Sequence, residues 1–284
     1  MRLLSTRELA NALGVSESSL KRWVDAGRIA ASRTEGGHRR IELTEAMRFI
    51  RDTSAPLVHP ELLDLPEVAV AREKGERLVQ YLAAGDAVGA RGFLIGRYLE
   101  GASVADLADG PIREAMHALG ELWRHDEGGV FVEHRATDIC LQAVAQLRGM
   151  IPDPRPDAPL ALGGAPSGDP YLVPSQLAAI AITEAGLRAM NLGPETPVHA
   201  LRHAVVSHRP ALVWLSVSSA LTPQRARTYA AWIAGLPAST SVVVGGQQAA
   251  TLTGLPARVH RVPSIAALVD VAIAVRDSRT GTAS

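Results

Sequence analysis

Residues 6–41, TRELANALGVSESSLKRWVDAGRIAASRTEGGHRRI, decide the fold of the first part of this chain. Their leading half predicts two short helices. Thr6 and Ser16 are of the residue types that cap a helix N-terminus, and Gly14 and Gly27 supply the left-handed conformation at which a helix ends. This spacing predicts a helix-turn-helix.

The trailing half predicts a basic β-hairpin, with strands over 28–33 and 38–41 joined by a Glu-Gly-Gly turn. In the second helix, Leu20 and Trp23 face inward and polar side chains face outward, where a recognition helix meets the major groove of double-stranded DNA. The positive charge of the returning strand suits phosphate contacts. The residues expected to contact DNA are Ser18, Ser19, Lys21, Arg22, Arg33, His38, Arg39 and Arg40.

These residues resemble the MerR family of winged-helix regulators, in which the signature also begins close to the chain start. The resemblance covers about the first 50 residues and implies a DNA-binding transcriptional regulator that binds operator DNA. Residues 1–52 carry ten Lys and Arg against seven Asp and Glu, a modest positive excess. One copy is therefore expected to bind weakly, and a homo-oligomer (dimer or tetramer) on a palindromic operator is expected to be the working form.

The chain has 284 residues, which is too long for one small DNA-binding unit. Proline-rich stretches at 53–66 and 152–159 predict two linkers. The expected domains are a winged helix-turn-helix, a helical bundle and an α/β domain. Their predicted bounds are 1–55, 65–151 and 158–278.

Composition predicts the compartment and excludes several classes of protein. Cys140 is the single cysteine, so there is no intramolecular disulfide framework. No signal peptide and no apolar run near the roughly 20 residues of a membrane helix is present. A cytoplasmic protein of the bacterial nucleoid, with no membrane partner, is expected. No Gly-rich phosphate loop, spaced Cys/His set or Ser-His-Asp arrangement indicates an enzyme.

Between residues 67 and 151, apolar residues recur at helical spacing, which predicts a four-helix bundle or one with a fifth helix. Within it, Trp123 is followed by Val130, Glu133 and His134. The Trp, Glu and His together resemble the helical cap over the upper face of cobalamin in methionine synthase and in CarH/LitR-type regulators. The resemblance implies that these residues, with Val130, contact that face, and it makes His134 a candidate cobalt ligand from above.

The last part of the chain alternates strands and helices, which predicts an α/β Rossmann-like (flavodoxin-like) domain with a buried parallel sheet. Strands are expected at 160–164, 211–216, 241–244 and near 259, and helices at 175–190, 197–208, 223–234 and 264–276. Ligands bind such sheets at the carboxyl ends of the strands. This edge is formed here by 164–174, 216–220 and 245–248.

The order of winged helix, helical cap and Rossmann-like domain resembles that of the CarH/LitR regulators. In them the first loop of the sheet carries an acidic residue, a His that ligates cobalt from below, and a Gly that leaves room for the displaced nucleotide tail. Here Asp169 is kept, whereas Tyr171 replaces the His and Pro174 replaces the Gly. A phenol is a poor cobalt ligand beside an imidazole. The resemblance implies ligand contacts from Asp169, Tyr171, Leu172, Pro174, Ser216, Ser218, Gly245 and Gly246.

Three interpretations of the sensor stay open. The first keeps cobalamin, as adenosylcobalamin, held without a lower protein ligand or through His134. The second fills the pocket with another tetrapyrrole or a small metabolite, and the third leaves a vestigial pocket in a regulator controlled by a partner protein. A corrinoid methyl-transfer protein is a further alternative, but the winged helix argues against it. The prediction is a regulator in which ligand or light changes the oligomer contacts that space the DNA-binding heads.

Overall fold

A computed structural model provides the structure of the chain and describes residues 2–65, 77–122 and 127–280. The chain folds into two compact units. The first comprises Met1–Ser103 with Gly110–Pro152, and the second comprises Val104–Asp109 with Asp153–Ser284.

The first unit begins with a winged helix-turn-helix. Its elements are β1 (Leu3–Ser5), α1 (Thr6–Ala12), α2 (Glu17–Asp25), β2 (Ser32–Arg33), β3 (Arg39–Glu42) and α3 (Leu43–Thr53). The three strands form an antiparallel sheet in the order β1-β3-β2. The predicted helices and hairpin are present, and β1 and α3 are additions. The predicted cap of α1 was wrong by one residue, because the Ser5 side chain accepts from the Glu8 backbone N–H while Glu8 accepts from that of Ser5.

The apolar side chains of these elements form one core, which extends into the helices that follow. Leu20 of α2 is fully buried, and Trp23 packs against the same core. Residues 60–63, within the first predicted linker, form a short 3₁₀ helix, and Leu63 and Leu65 are buried. Residues 60–65, in the C-terminal half of that segment, are therefore packed against the winged helix-turn-helix, which is called the head below.

The helical part of the first unit follows. Its helices are α4 (Arg77–Ala84), α5 (Ala87–Leu99), α7 (Arg113–Leu122) and α8 (Glu127–Arg148), and α6 (Val104–Leu107) lies between α5 and α7 in the chain but belongs to the second unit. Arg51 of α3 joins the head to this part. Its Nη1 donates to the carbonyl oxygens of Tyr98, at 3.3 Å, and Ala102, at 2.9 Å. Its guanidinium lies 4.1 Å from the centroid of the Tyr98 ring.

The second unit is a five-stranded parallel sheet in the order β5-β4-β6-β7-β8. Its elements are β4 (Leu160–Gly164), α9 (Leu172–Glu184), β5 (Arg188–Asn191), α10 (Val198–His208), β6 (Leu212–Ser216), α11 (Pro223–Ala234), β7 (Ser241–Gly245), β8 (His260–Arg261) and α12 (Ile265–Thr280). Helices α9 and α12 pack on one face, and α10 and α11 pack on the other. The predicted Rossmann-like fold is confirmed.

One predicted helix in this unit was wrong. The pattern indicated a helix over 175–190, whereas α9 starts at Leu172 and ends at Glu184, and residues 188–191 form β5. Gly186 takes a positive φ of 93°, which turns the chain back toward the sheet. Because α9 begins three residues early, Pro174 lies in its first turn.

The segment Val104–Asp109 packs in the second unit although its neighbours in sequence belong to the first. The Asp109 carboxylate accepts hydrogen bonds from the backbone N–H groups of Ile265, at 2.9 Å, and Ala266, at 2.8 Å. It thereby caps the N-terminus of α12. The Val104 N–H donates to Glu184 at the end of α9, at 2.8 Å.

Candidate functional site

The first candidate site is the outer surface of α2 and the β2–β3 hairpin. Lys21, His38, Arg39 and Arg40 line one cleft of about 350 Å³, and Arg7 from the first turn of α1 lines it as well. The structure therefore brings predicted residues of the recognition helix and of the wing to a single surface. Sequence reasoning missed Arg7, since only the packing of α1 against α2 places it there.

Glu17, at the start of α2, organises the cations of this cleft. Its carboxylate lies 2.9 Å from Lys21 Nζ and 3.4 Å from Arg7 Nε, and it accepts a hydrogen bond from Thr6 Oγ1 at 3.1 Å. These contacts lower the pKa of Glu17 below its ordinary value, and the hydrogen bond from Lys21 has the largest effect. The carboxylate stays ionised at neutral pH and holds both cations on the surface.

Arg39 is held within the protein. Its Nη2 lies 2.6 Å from Asp25 Oδ1 at the end of α2, and its side chain is only 22% exposed. This ion pair braces the wing against the recognition helix. Arg33 and Arg40 make no ion pair with any described residue, so their charges are available to a phosphate.

The remaining predicted residues lie along α2. The hydroxyl of Ser16 lies 2.9 Å from those of both Ser18 and Ser19, and Arg22 Nη2 donates to Ser19 Oγ at 3.3 Å. Ser18 and Arg22 are exposed and Ser19 is half-buried. This network orders the polar side of the helix before any partner binds.

The second candidate site is the face of α8 that carries Val130, Glu133 and His134. The His134 side chain is 77% exposed and its Nε2 lies 3.5 Å from Glu133 Oε2. Glu133 Oε1 accepts a hydrogen bond from Thr137 at 3.2 Å. Val130 and its neighbour Phe131 are 41% and 64% exposed, although both are apolar. Trp123, the other residue predicted here, lies outside the described residues.

The third candidate site is the carboxyl edge of the parallel sheet, where Asp169 ties two loops together. Asp169 is fully buried. Its Oδ2 accepts hydrogen bonds from the N–H groups of Ser218 and of Ser219, the latter at 3.0 Å, and its Oδ1 accepts from that of Tyr171 at 3.2 Å. The carboxylate thus links the loops after β4 and β6 by hydrogen bonds to their backbones.

Tyr171 and Leu172 end this loop on its outer side. Tyr171 is the N-cap residue of α9 without a side-chain capping bond, and it is 51% exposed. Leu172 is 45% exposed. At this edge of the sheet, both side chains are open to solvent, whereas Ser216 is buried.

Gly245 and Gly246 end β7, next to the loop after β6. The Val217 N–H donates to the Gly245 carbonyl at 2.8 Å, and a Cβ placed on Gly246 would overlap the Val217 backbone. Gly246 also has a positive φ of 108°. The close approach of the protein's own backbone therefore explains why glycine stands at 246.

The described part of the chain contains no group of three or more His, Cys, Asp or Glu side chains placed to hold a metal ion. Burial raises the pKa of the Cys140 thiol to about 12, so the thiol is protonated and unreactive at neutral pH. Over the same ranges, every helix is too short or too polar to span a bilayer.

Comparison with known proteins shows the family to which the chain belongs. Residues 3–54 match the helix-turn-helix domain, and residues 75–148, the helical part, match the B12 binding domain. The HTH-type transcriptional repressor CarA of Myxococcus xanthus is 30% identical over 258 residues, which cover 86% of each chain. The chain belongs to the CarH/LitR type of MerR-family transcriptional regulators.

Membership in the CarH/LitR type confirms the predicted DNA-binding regulator with a cobalamin-binding-type module. A solved structure, the monomethylamine corrinoid protein of Methanosarcina barkeri, has the same fold over 70% of this chain and 96% of its own, with a TM-score of 0.50 and 14% identity. At that identity the likeness concerns the fold alone. The winged helix distinguishes the regulator from a methyl-transfer protein.

The family implies cobalamin, and the sheet edge can be tested for it. The residues do not fit a corrinoid whose cobalt is ligated from below by the protein. Tyr171 stands at the ligand position, Asp169 is occupied by three backbone N–H groups, and Pro174 lies within the first turn of α9.

Trp214 occupies part of the core between the sheet and its helices. Trp214 of β6 is 1% exposed and lies across Gly163 of the neighbouring strand, where a Cβ would overlap the indole ring. The indole packs with α9 and α12, and its Nε1 is buried with no hydrogen-bond partner among the described residues. The indole is therefore a close-packed part of the core of the second unit.

Proposed function

We propose that this CarH-type regulator binds double-stranded operator DNA as a homo-oligomer, with α2 in the major groove and the β2–β3 wing on the adjacent phosphates. The observation that carries the proposal is the single cleft lined by Lys21, His38, Arg39 and Arg40. Lys and Arg side chains supply the phosphate contacts, and the polar side of α2 supplies contacts to base edges. Such binding would place the protein in the cytoplasm, on the nucleoid.

Oligomerisation follows from the small size of the cationic surface. Glu17 and Asp25 neutralise part of the charge carried by Lys21, Arg7 and Arg39. One head therefore makes few net phosphate contacts, so a single head binds DNA weakly. Two or more linked heads raise the effective affinity by multivalency. A dimer or tetramer on a repeated site is accordingly the form proposed to regulate.

The proposed signal is cobalamin held on the helical part of the first unit. Support comes from the match of residues 75–148 to the B12 binding domain and from the exposed face of Val130, Glu133 and His134. Trp123 is proposed to belong to that face. Because the sheet edge supplies no lower ligand, the proposal is that cobalamin, as adenosylcobalamin, binds without one. The Arg51 contact ties the helical part to the DNA-binding head within one unit.

The response to ligand or light is proposed to be a change in contacts between copies, which alters how many heads engage DNA together. Neither a catalytic role nor a methyl-transfer role is part of the proposal.

Absorbance and electron paramagnetic resonance test the ligand proposal. The purified protein should acquire the visible bands of a corrinoid and a higher melting temperature on addition of adenosylcobalamin. For the axial ligand, 15N-labelled protein is loaded with unlabelled cobalamin and the cobalt is reduced to the paramagnetic state. A nitrogen triplet identical in labelled and unlabelled protein would mean that the axial nitrogen comes from the cofactor itself.

A doublet in labelled protein would show a histidine ligand and contradict the proposed mode. His134→Gln then identifies whether that histidine is His134. No corrinoid band and no thermal shift would contradict cobalamin altogether, and would leave another tetrapyrrole, a small metabolite or a partner protein as the signal. Operator binding by the full chain is measured separately, so failure of the ligand proposal does not count against DNA binding.

A further inference from the structure

The second unit contains a cavity that none of the sites above uses. It has a volume of about 680 Å³ and lies between the N-terminal ends of α10 and α11. The loop after β4 contributes to its wall. Its polar lining comes chiefly from Ser167, His199, Arg202, Thr222, Arg225 and Tyr229. No residue predicted to bind DNA or cobalamin is among those that line it.

Two arginines give the cavity a positive charge that the protein leaves unbalanced. Arg202 of α10 and Arg225 of α11 are both exposed. Within the described ranges, neither guanidinium has a hydrogen-bond partner or a carboxylate oxygen within 4.0 Å. Arg225 lies directly against Gly168, where a Cβ would overlap its Nη1. The Gly168 N–H donates to Glu195 Oε2 at 2.8 Å, and the next residue, Asp169, is engaged by backbone N–H groups.

The wall of the cavity is held in place before any ligand binds. The buried Tyr229 hydroxyl accepts from the Ser167 N–H at 2.8 Å and donates to the Thr196 carbonyl at 2.6 Å. At the other side, the Thr222 side chain caps α11 by accepting from the Arg225 N–H at 3.3 Å. A fixed loop and a fixed helix end thus set the positions from which Ser167 and Arg225 approach the cavity.

From this combination we infer that the second unit binds a small molecule bearing a diphosphate group between α10 and α11. Guanidinium groups match phosphate oxygens in charge and in paired hydrogen-bonding geometry, and two of them together favour more than one negative charge. His199 and the hydroxyls of Ser167 and Thr222 add hydrogen-bonding groups. The volume falls within the range of about 300–1,000 Å³ that is usual for small-molecule sites.

Isothermal titration calorimetry of the full chain with inorganic pyrophosphate tests the inference, at constant ionic strength set with sodium chloride. The variants are Arg202→Gln and Arg225→Gln. The control is Arg227→Gln, which removes an exposed arginine from the same helix α11 but outside the cavity. Circular dichroism melting curves should agree among the four proteins.

The expected result is saturable binding of one pyrophosphate per chain. Loss of either cavity arginine should raise Kd by about tenfold or more, since each removes charge-assisted hydrogen bonds, whereas Arg227→Gln should leave Kd unchanged. Absence of binding to the unaltered protein, or equal weakening in all three variants, would overturn the inference. If pyrophosphate does not bind but Arg202→Gln and Arg225→Gln weaken binding to DNA, the cavity contacts the DNA backbone and the inference is likewise wrong.

Discussion

Replacement of Asp169 by Asn removes the charge that joins the loops after β4 and β6, with little change in side-chain shape. In the native protein one carboxylate oxygen accepts from the Ser218 and Ser219 N–H groups and the other accepts from Tyr171. The amide of Asn has one acceptor oxygen. If that oxygen keeps Ser218 and Ser219, the NH₂ group meets the Tyr171 N–H as donor against donor.

The free-energy cost of the substitution follows from these three hydrogen bonds. Two change from charged to neutral acceptors, which loses about 1 kcal/mol each, and the third is lost, at about 1 kcal/mol. The total of about 3 kcal/mol corresponds to about a hundredfold larger open population of the loop. Hydrogen exchange measured by mass spectrometry should therefore show the amides of Ser218 and Ser219 exchanging about a hundredfold faster than in the native protein, with β6 itself still protected.

Asp157→Asn is the matched control, because Asp157 is exposed and, among the described residues, forms its ion pair with nearby Arg155. Its effect on exchange at Ser218 and Ser219 should be negligible. Unchanged exchange of these two amides in Asp169→Asn would refute the reasoning that Asp169 holds the loops by its charge.

Three further predictions concern other parts of the molecule. Gly246→Ala should destabilise the second unit by at least about 2 kcal/mol, because its Cβ would overlap the Val217 backbone at a positive φ. The control Gly254→Ala, at a positive φ but in open space, should cost about 1 kcal/mol. Equal melting temperatures of the two variants would contradict this prediction. Arg40→Ala should lower the magnitude of the slope of log affinity for DNA against log salt by about 0.9 per bound head. Salt titrations followed by fluorescence anisotropy measure this slope. An unchanged slope would show that Arg40 does not contact a phosphate. The Cys140 thiol has a raised pKa, so its contribution to stability should be complete below its ordinary pKa of 9.0 and decline as the pH rises toward about 12. Cys140→Ala should therefore reduce the fall of the urea midpoint over that alkaline range. An equal fall in both proteins would show that another group causes it.

Local signals predicted most of the fold. The residues that end helices, such as Gly14 and Gly27, and the buried strands of the α/β domain belong to patterns that only a few neighbouring residues create. Strand β5 could not be predicted in this way. Its residues extend a helical pattern, and it becomes a strand because it pairs with β4, which lies more than 20 residues earlier in the chain.

The candidate sites likewise depend partly on local sequence patterns and partly on contacts made in the folded chain. The positions of Lys21, Arg39 and Arg40 relative to the winged helix follow from motif spacing, but the ion pair of Arg39 with Asp25 depends on how the wing packs on α2. At the sheet edge, the replacement of a histidine by Tyr171 is visible in the sequence. The engagement of Asp169 by backbone N–H groups and the packing of Trp214 over Gly163 are visible only in the fold.

The sequence alone determined that this chain is a winged-helix regulator followed by a helical and a Rossmann-like part, because periodicity, caps and turns act over short stretches of chain. Only the tertiary structure decided which charges remain available and which space remains open. Among the described residues, Arg39 forms an ion pair whereas Arg33 and Arg40 do not, and Trp214 is buried in the core whereas a cationic cavity opens between α10 and α11. Charge neutralisation and close packing join residues far apart in sequence, so they follow from the folded chain.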